Sequence, residues 1–467
     1  MKYPAAWMAA VVYLLFERAL GLLGDATASW PVALVLKSSI KHHPLWSVSM
    51  ERWIKSRLSY RATLTIALVA LIACYAPAAE PSPRGQVVVS TRAAQIHARS
   101  FVFDGHNDLP WEIRAQGSRS FEKLDISQPQ AKLHTDIARL KKGGVGAQFW
   151  SVYVPSDTAY DRSAYAKTLE QIEIVQAMIA RYPETFVAAR TASDVDAARA
   201  AGKIASLIGV EGGHAIENSI DKLSKLHELG AGYMTLTHSD SLDWADSCSD
   251  KPKCHGLSEF GKEIVREMNR LGMLVDLSHV SVETMQAAMD ASAAPVIFSH
   301  SSSRAIADHP RNVPDEILKQ LPGDGGVVMI NFFSAFVVPN SAATSRRLQP
   351  MLRELKEKFG DDKDAYKIAA GRLEAQNPIE VGSVHDVVDH IDHIVKVAGI
   401  DHVGIGSDYD GITKVPKQLE DVSTYPVLTQ VLLDRGYSEA DIHKIMSGNI
   451  LRVMRAAESV SERLRAD

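Results

Sequence analysis

The sequence predicts an α/β fold, a (β/α)8 TIM barrel, and three observations carry that expectation. Eight short apolar runs rich in β-formers recur between residues 101 and 406. Each run is continuous rather than alternating, the pattern of parallel strands buried on both faces. Segments with apolar residues at helical spacing separate the runs, and eight such units favour a closed barrel over an open sheet.

The 467 residues, 46% hydrophobic and 23% charged, leave room for one large domain plus an extension. Residues 1–49 hold an apolar stretch interrupted by Glu17 and Arg18, read either as an extension ahead of a true start at Met50 or as a poor membrane segment. Residues 50–74 have the layout of a signal peptide, with Arg52, Lys55, Arg57 and Arg61 before an apolar run at 62–73 that is short for a membrane span. That run ends Leu71-Ile72-Ala73-Cys74, which resembles the lipobox of bacterial lipoproteins, while Ala76, Ala78 and Ala79 keep ordinary cleavage open. Residues 75–90 read as a tether, and 91–460 as the folded domain. The expectation is an exported protein, periplasmic or anchored as a bacterial lipoprotein, touching the membrane only through its N-terminus.

The strands are expected at 101–104, 148–154, 205–210, 233–237, 273–277, 296–299, 326–331 and 402–406. Between them, Leu223, Leu226 and Leu229, and again Phe260, Ile264, Met268 and Leu271, form stripes that would face the barrel wall. Gly230, Gly272 and Gly399 follow such stripes, where a helix needs a left-handed terminator. After the seventh strand a long helical insertion runs over 334–387, with helices expected at 348–359 and 363–375. It reads as a lid, as a subunit contact in a homodimer, or as a passive surface excursion.

A net charge of -5 without basic blocks gives no reason to expect nucleic acid. Three cysteines exclude a cysteine-rich zinc module, and Cys248 and Cys254 are open to either a small disulfide loop or two thiols.

In a barrel, residues just after the strands converge on one site. The first strand runs into Gly105-His106-Asn107-Asp108, whose His and Asp point the same way and can ligate one ion. Glu211 ends the third strand, where a buried carboxylate is costly unless paired or metal-bound, and its two oxygens can bridge two cations. His279 and His300 follow the fifth and sixth strands. Five nitrogen and oxygen ligands from four strands fit two divalent ions, zinc before others.

The order of motifs resembles the membrane (renal) dipeptidases, a branch of the amidohydrolase-like barrels, over 94–453. The resemblance rests on D-G-H-N-D at 104–108, G-V-E-G at 209–212, L-T-H at 236–238 with W-A-D at 244–246, and D-L-S-H at 276–279. It continues through F-S-H-S at 298–301, R-N-V-P-D at 311–315 and G-I-G-S-D-Y-D-G at 404–411. It implies a binuclear zinc dipeptidase acting on dipeptides with a free C-terminal carboxylate, C-terminal D-residues included. It further implies that His106 and Asp108 hold one zinc, that His279 and His300 hold the other, and that Glu211 bridges them. His238 would contact the substrate and its oxyanion, Arg311 would grip the carboxylate, and Asp408 would carry the proton from water to the leaving amine.

Asp410 follows the same strand as Asp408 and competes with it, but reads better as a turn residue before Gly411. His134, His227, His390 and His393 fall in helical patterns and are assigned no role. Phe333 stands where some members of that family carry tyrosine, and the long insertion fits bacterial relatives better. The same metal chemistry would serve an N-acyl-amino-acid amidohydrolase, a lactonase or a β-lactam hydrolase. A surface lipoprotein that binds peptides without cleaving them is the non-enzymatic alternative.

Overall fold

The computed structural model describes residues 84–360 and 362–466. The leader, Cys74 and the first part of the tether lie outside the described residues. Nine strands are present among those described: β1 (Val102–Asn107), β2 (Val145–Ser151), β3 (Phe186–Ala188), β4 (Ile204–Glu211), β5 (Ala231–Thr235), β6 (Leu274–Asp276), β7 (Ile297–Phe298), β8 (Val327–Ile330) and β9 (Val403–Ile405). The hydrogen-bonded order β2-β1-β9-β8-β7-β6-β5-β4 returns to its start because β2 also pairs with β4, so eight strands close a barrel. The eight expected strands are these eight.

The ninth, β3, was not expected. Its three residues pair with Ile204–Ser206, on the edge of β4 that β5 occupies from Ile208 onward. It is a short filler below the point where β5 begins.

The continuous apolar runs are explained by burial: every residue of β1 and β4 is buried. Phe103, Phe149, Leu207, Tyr233, Leu274 and Met329 belong to one core cluster, while Val102, Trp150, Ile208 and Val328 belong to a second with the surrounding helices. Neighbours along a strand thus divide between the two, as the twofold periodicity of a strand requires. Burying a side chain such as Phe103 or Leu207 contributes about 1.5–3 kcal/mol. The helix Glu259–Leu271 carries the expected stripe, buries Ile264, Val265 and Met268, and stops at Gly272 with φ 80° and ψ 17°. Gly230 and Gly399 also have positive φ, 115° and 98°.

The insertion after β8 forms the helices Pro339–Phe359 and Lys363–Gln376. The first begins nine residues earlier than expected, with Pro339 in its first turn, where a missing N–H costs nothing. Few of its side chains are buried; polar contacts hold it instead. Lys363 Nζ lies 3.0 Å from Asp157, Lys356 Nζ 3.8 Å from Asp240, and Gln349 donates to the Ser249 hydroxyl at 3.5 Å. These partners follow β2 and β5, so the insertion lies on the C-terminal face of the barrel. Cys248 and Cys254 are free thiols. Among the described residues no helix is long and apolar enough to cross a membrane.

Candidate active site

Two buried carboxylates tie the strand ends together before any functional group is placed. Asp104 accepts from the Ser407 amide at 2.8 Å, the His106 amide at 3.2 Å, and the hydroxyls of Ser407 and Tyr425, both at 2.5 Å. Asp276 does the same between β5, β6 and β7, accepting from Thr235, Ser278 and Ser299. A register shift in β1 between Asp104 and Asn107 breaks the strict alternation where His106 sits.

On this frame the ring nitrogens converge. Nε2 of His106 lies 3.3 Å from Asp108 and 3.5 Å from Glu211 Oε2. The other oxygen of Glu211 faces Nε2 of His279 at 3.1 Å, of His238 at 3.5 Å and of His300 at 3.6 Å. The Nε2 atoms of His279 and His300 stand 2.9 Å apart. Three overlapping groups have the spacing of a metal site: His106 with Glu211 and His300, Glu211 with His238 and His279, and His106 with Asp108 and Asp408. Glu211 is thus the carboxylate shared between two ends of the cluster, with Ser151 donating to its Oε2 at 3.0 Å.

The donor set fits divalent cations. His106 Nε2 is fully buried with no hydrogen-bond partner among the described residues, an arrangement expensive in an apolar core and satisfied by a cation. Burial, together with the charge of Arg311 and neighbouring imidazoles, holds His279 and His300 well below the usual histidine range. The neutral ring is the form that ligates; in His106 burial favours it too, but Tyr233, Glu211 and Asp108 outweigh burial and hold the imidazole well above the usual range, a proton that a cation on Nε2 would displace. Burial opposes ionisation of Glu211, but His106 and His238 outweigh it and keep the carboxyl well below its usual range.

Asp408 lies beside the cluster, with Oδ1 4.0 Å from His106 Nε2 and Oδ2 accepting from Asn331 at 2.7 Å. Burial pushes its carboxyl up to about 8; His106 opposes the rise, while Asp108 and Glu211 add to it. Gly411 lets the chain pass here, since a Cβ would lie 2.2 Å from Asp108 Oδ2 and 2.8 Å from Asp408 Oδ1. His279, Asp408 and Asp410 all have left-handed φ, 68°, 65° and 66°, a strained backbone concentrated at the mouth.

Asp410 turns elsewhere. Its carboxylate accepts from the His134 amide at 2.6 Å, and its own amide donates to His134 Nδ1 at 2.9 Å. His134 is therefore not on a helix, as its pattern suggested, but in a loop pinned to the end of β9 and lining the same cavity. His390 is a packed residue, bonded to Ser303 and Val337.

The cavity of about 640 Å³ is lined by Asp108, Glu211, His238, His279, Arg311 and Asp408, with Tyr153, Phe333 and Phe336 among its apolar walls. Arg311 is 4% exposed and so is no surface residue. Its guanidinium sits 5.3 Å over the Phe336 ring, and its Nε has no hydrogen-bond partner among the described residues. Tyr153 packs against His238 with centroids 4.9 Å apart. Sequence reasoning passed over Ser151, Tyr153 and Asn331, although each stands at or just past a strand end, the signal that found the histidines.

The chain matches the family model of the membrane dipeptidases (peptidase family M19) over residues 90–467. Among solved structures it is similar to the probable dipeptidase PvdM from Pseudomonas aeruginosa, at 26% identity and a TM-score of 0.68, covering 79% of this chain and 98% of that one. It is also similar to a metallo peptidase from Rhodobacter sphaeroides liganded with a phosphinate mimic of the dipeptide L-Ala-D-Ala. That likeness has a TM-score of 0.63 at 24% identity, over 77% of this chain and 99% of that one. A family match running from the helix before β1 to the C-terminus takes in the whole barrel and every residue of the cluster at its mouth, so this chain belongs to the membrane dipeptidase family and is a peptidase.

Proposed function

We propose that the protein is a binuclear zinc dipeptidase that cleaves dipeptides with a free C-terminal carboxylate, C-terminal D-residues among them. The observation that carries this reading is the sharing of Glu211 between imidazoles on either side of it, within one cavity that also holds the Arg311 guanidinium. In the proposed arrangement His106 and Asp108 hold one ion, His279 and His300 the other, and Glu211 bridges. When bound, two such ions acidify a shared water and polarise the scissile carbonyl.

The remaining work falls to the chain. Arg311 binds the substrate carboxylate with a planar fork of donors above Phe336 and so orients the peptide bond. Because that grip reads the carboxylate and not the side chain, both configurations at the C-terminal residue are accommodated; the dipeptide mimic in the Rhodobacter sphaeroides protein supports this. His238 donates to the carbonyl oxygen as it gains charge. Asn331 occupies Oδ2 of Asp408, leaving Oδ1, on a carboxyl that bound cations would keep ionised against its burial, to take the proton of the attacking water and return it to the leaving amine. Tyr153, Phe333 and Phe336 narrow the cavity and exclude water.

Export and anchoring through Cys74 belong to the same proposal, on the lipobox-like run that precedes it. The reading is tested by zinc analysis coupled to a panel of L-L and L-D dipeptides, with a chelator as control. Turnover with zinc, its loss with chelator, loss of metal in Glu211→Ala and loss of rate with metal retained in Asp408→Asn are expected. Zinc-loaded protein that cleaves no dipeptide would refute it.

A further inference from the structure

An imidazole offers one nitrogen to a cation only when the other carries the proton, so the group bonded to the far nitrogen decides whether the ring can ligate. The far nitrogens of His106 and His300 are held by different chemistry. His300 Nδ1 lies 2.7 Å from the Ser299 hydroxyl, whose single proton goes to Asp276 Oδ2 at 2.6 Å. Asp276 is fully buried and its oxygens also accept from the Thr235 hydroxyl at 2.5 Å and the Ser278 amide at 3.1 Å. The Ser299 oxygen is therefore an acceptor toward His300. Nδ1 carries the proton, and Nε2 faces Glu211 bare.

His106 Nδ1 lies 2.8 Å from the phenol of Tyr233, which is itself 3.3 Å from the Gly105 carbonyl. The Gly105 carbonyl offers the phenol proton an acceptor, which leaves the phenol oxygen able to accept from His106 Nδ1. The buried ring of Tyr233 reaches this position because residue 209 is glycine: a Cβ there would lie 2.4 Å from the phenol oxygen. The nitrogen left bare is His106 Nε2, the buried atom without a hydrogen-bond partner among the described residues.

We propose that Tyr233 and Ser299 are positioning residues that set the tautomers of His106 and His300, and that each governs a different ion of the pair. The proposal rests on the two-ion reading above. Removing the phenol loosens the ion of His106 and Asp108; removing the serine hydroxyl loosens the ion of His279 and His300. Neither residue touches substrate, so the effect is on metal before it is on rate.

The experiment measures stepwise zinc affinity of the full chain by competition with a chromophoric chelator, for the parent and for Tyr233→Phe, Ser299→Ala and Ser299→Thr. Melting of the metal-free proteins checks the fold. Each of the first two variants should weaken one ion by about 10–100-fold and spare the other, with Ser299→Thr restoring parent behaviour. Anomalous scattering from crystals at one equivalent of zinc should find the retained ion at opposite ends of the cluster in Tyr233→Phe and Ser299→Ala. Two ions in the parent with unchanged affinity in the variants, or loss of the same ion in both, overturns this proposal alone. A parent that binds a single ion overturns the two-ion reading and this proposal with it.

Discussion

Replacing Arg311 by alanine separates recognition of the substrate carboxylate from every other job that a buried cation beside the proposed metal ligands could do. The guanidinium spends little of its donor capacity on the protein. Nη1 to Ser301 is 3.4 Å, Nη2 to the His300 carbonyl is 3.2 Å, and Nε has no hydrogen-bond partner among the described residues. A carboxylate arriving here gains charge-assisted bonds worth about 1.5–3 kcal/mol each, partly offset by the long bonds it displaces. A net loss of about 3 kcal/mol in Arg311→Ala corresponds to roughly 150-fold in kcat/KM. The assay compares a dipeptide with its C-terminal amide in both proteins. The dipeptide should lose roughly 150-fold, whereas the amide, which has no negative charge to present, should change by less than about threefold. Arg311→Lys should fall between them, keeping charge without the planar fork. Because Arg311 is buried against His300, zinc content and melting are followed in each variant. Equal losses on acid and amide would refute the reasoning and assign Arg311 to support of His300 instead.

A stability prediction comes from outside the site. Asp324 accepts from the Val296 amide at 3.1 Å, and burial pushes its carboxyl up from 3.8 to about 6. The folded state therefore binds this proton more tightly than the unfolded one. Stability from this group is full below pH 3.8 and is lost as pH rises through about 6, by up to about 3 kcal/mol. Asp324→Asn keeps the acceptor oxygen without the charge, so urea unfolding should show the variant more stable than the parent near neutrality and equal to it at about pH 4. A gain independent of pH would sink this account. At the other end of the chain, intact mass after expression in a bacterial host should find a lipidated mature protein beginning at Cys74; a mature chain retaining Met1 refutes the proposed leader.

What was legible in the sequence was what is locally anomalous. Glu211 at the end of the fully buried β4 has no cheap explanation except a partner, and the same holds for His279 and His300 after strands of three and two residues. The barrel was legible for a related reason, since eight continuous apolar runs have few ways to be buried on both faces. β3 escaped because it is buried only at Phe186, with Val187 half-buried and Ala188 exposed, so no continuous apolar run marks it. His134 escaped because its place is set by Asp410, 276 residues away, through two backbone contacts that no local period records.

Tyr233 and Ser299 escaped for a different reason: each is ordinary where it stands. A tyrosine on a core strand packs well, and a serine as the last residue of an expected strand is unremarkable. Their meaning lies across the sheet, in the glycine at 209 that leaves room for a phenol and in the carboxylate of Asp276 that takes a hydroxyl proton. A metal centre of this kind is thus written twice. The proposed ligands are marked by the cost of burying them, while the groups proposed to fix their protons carry no such cost and are marked only by their neighbours. Substitutions that conserve shape, such as Tyr233→Phe, should therefore leave fold and core nearly untouched and still be felt at the metal.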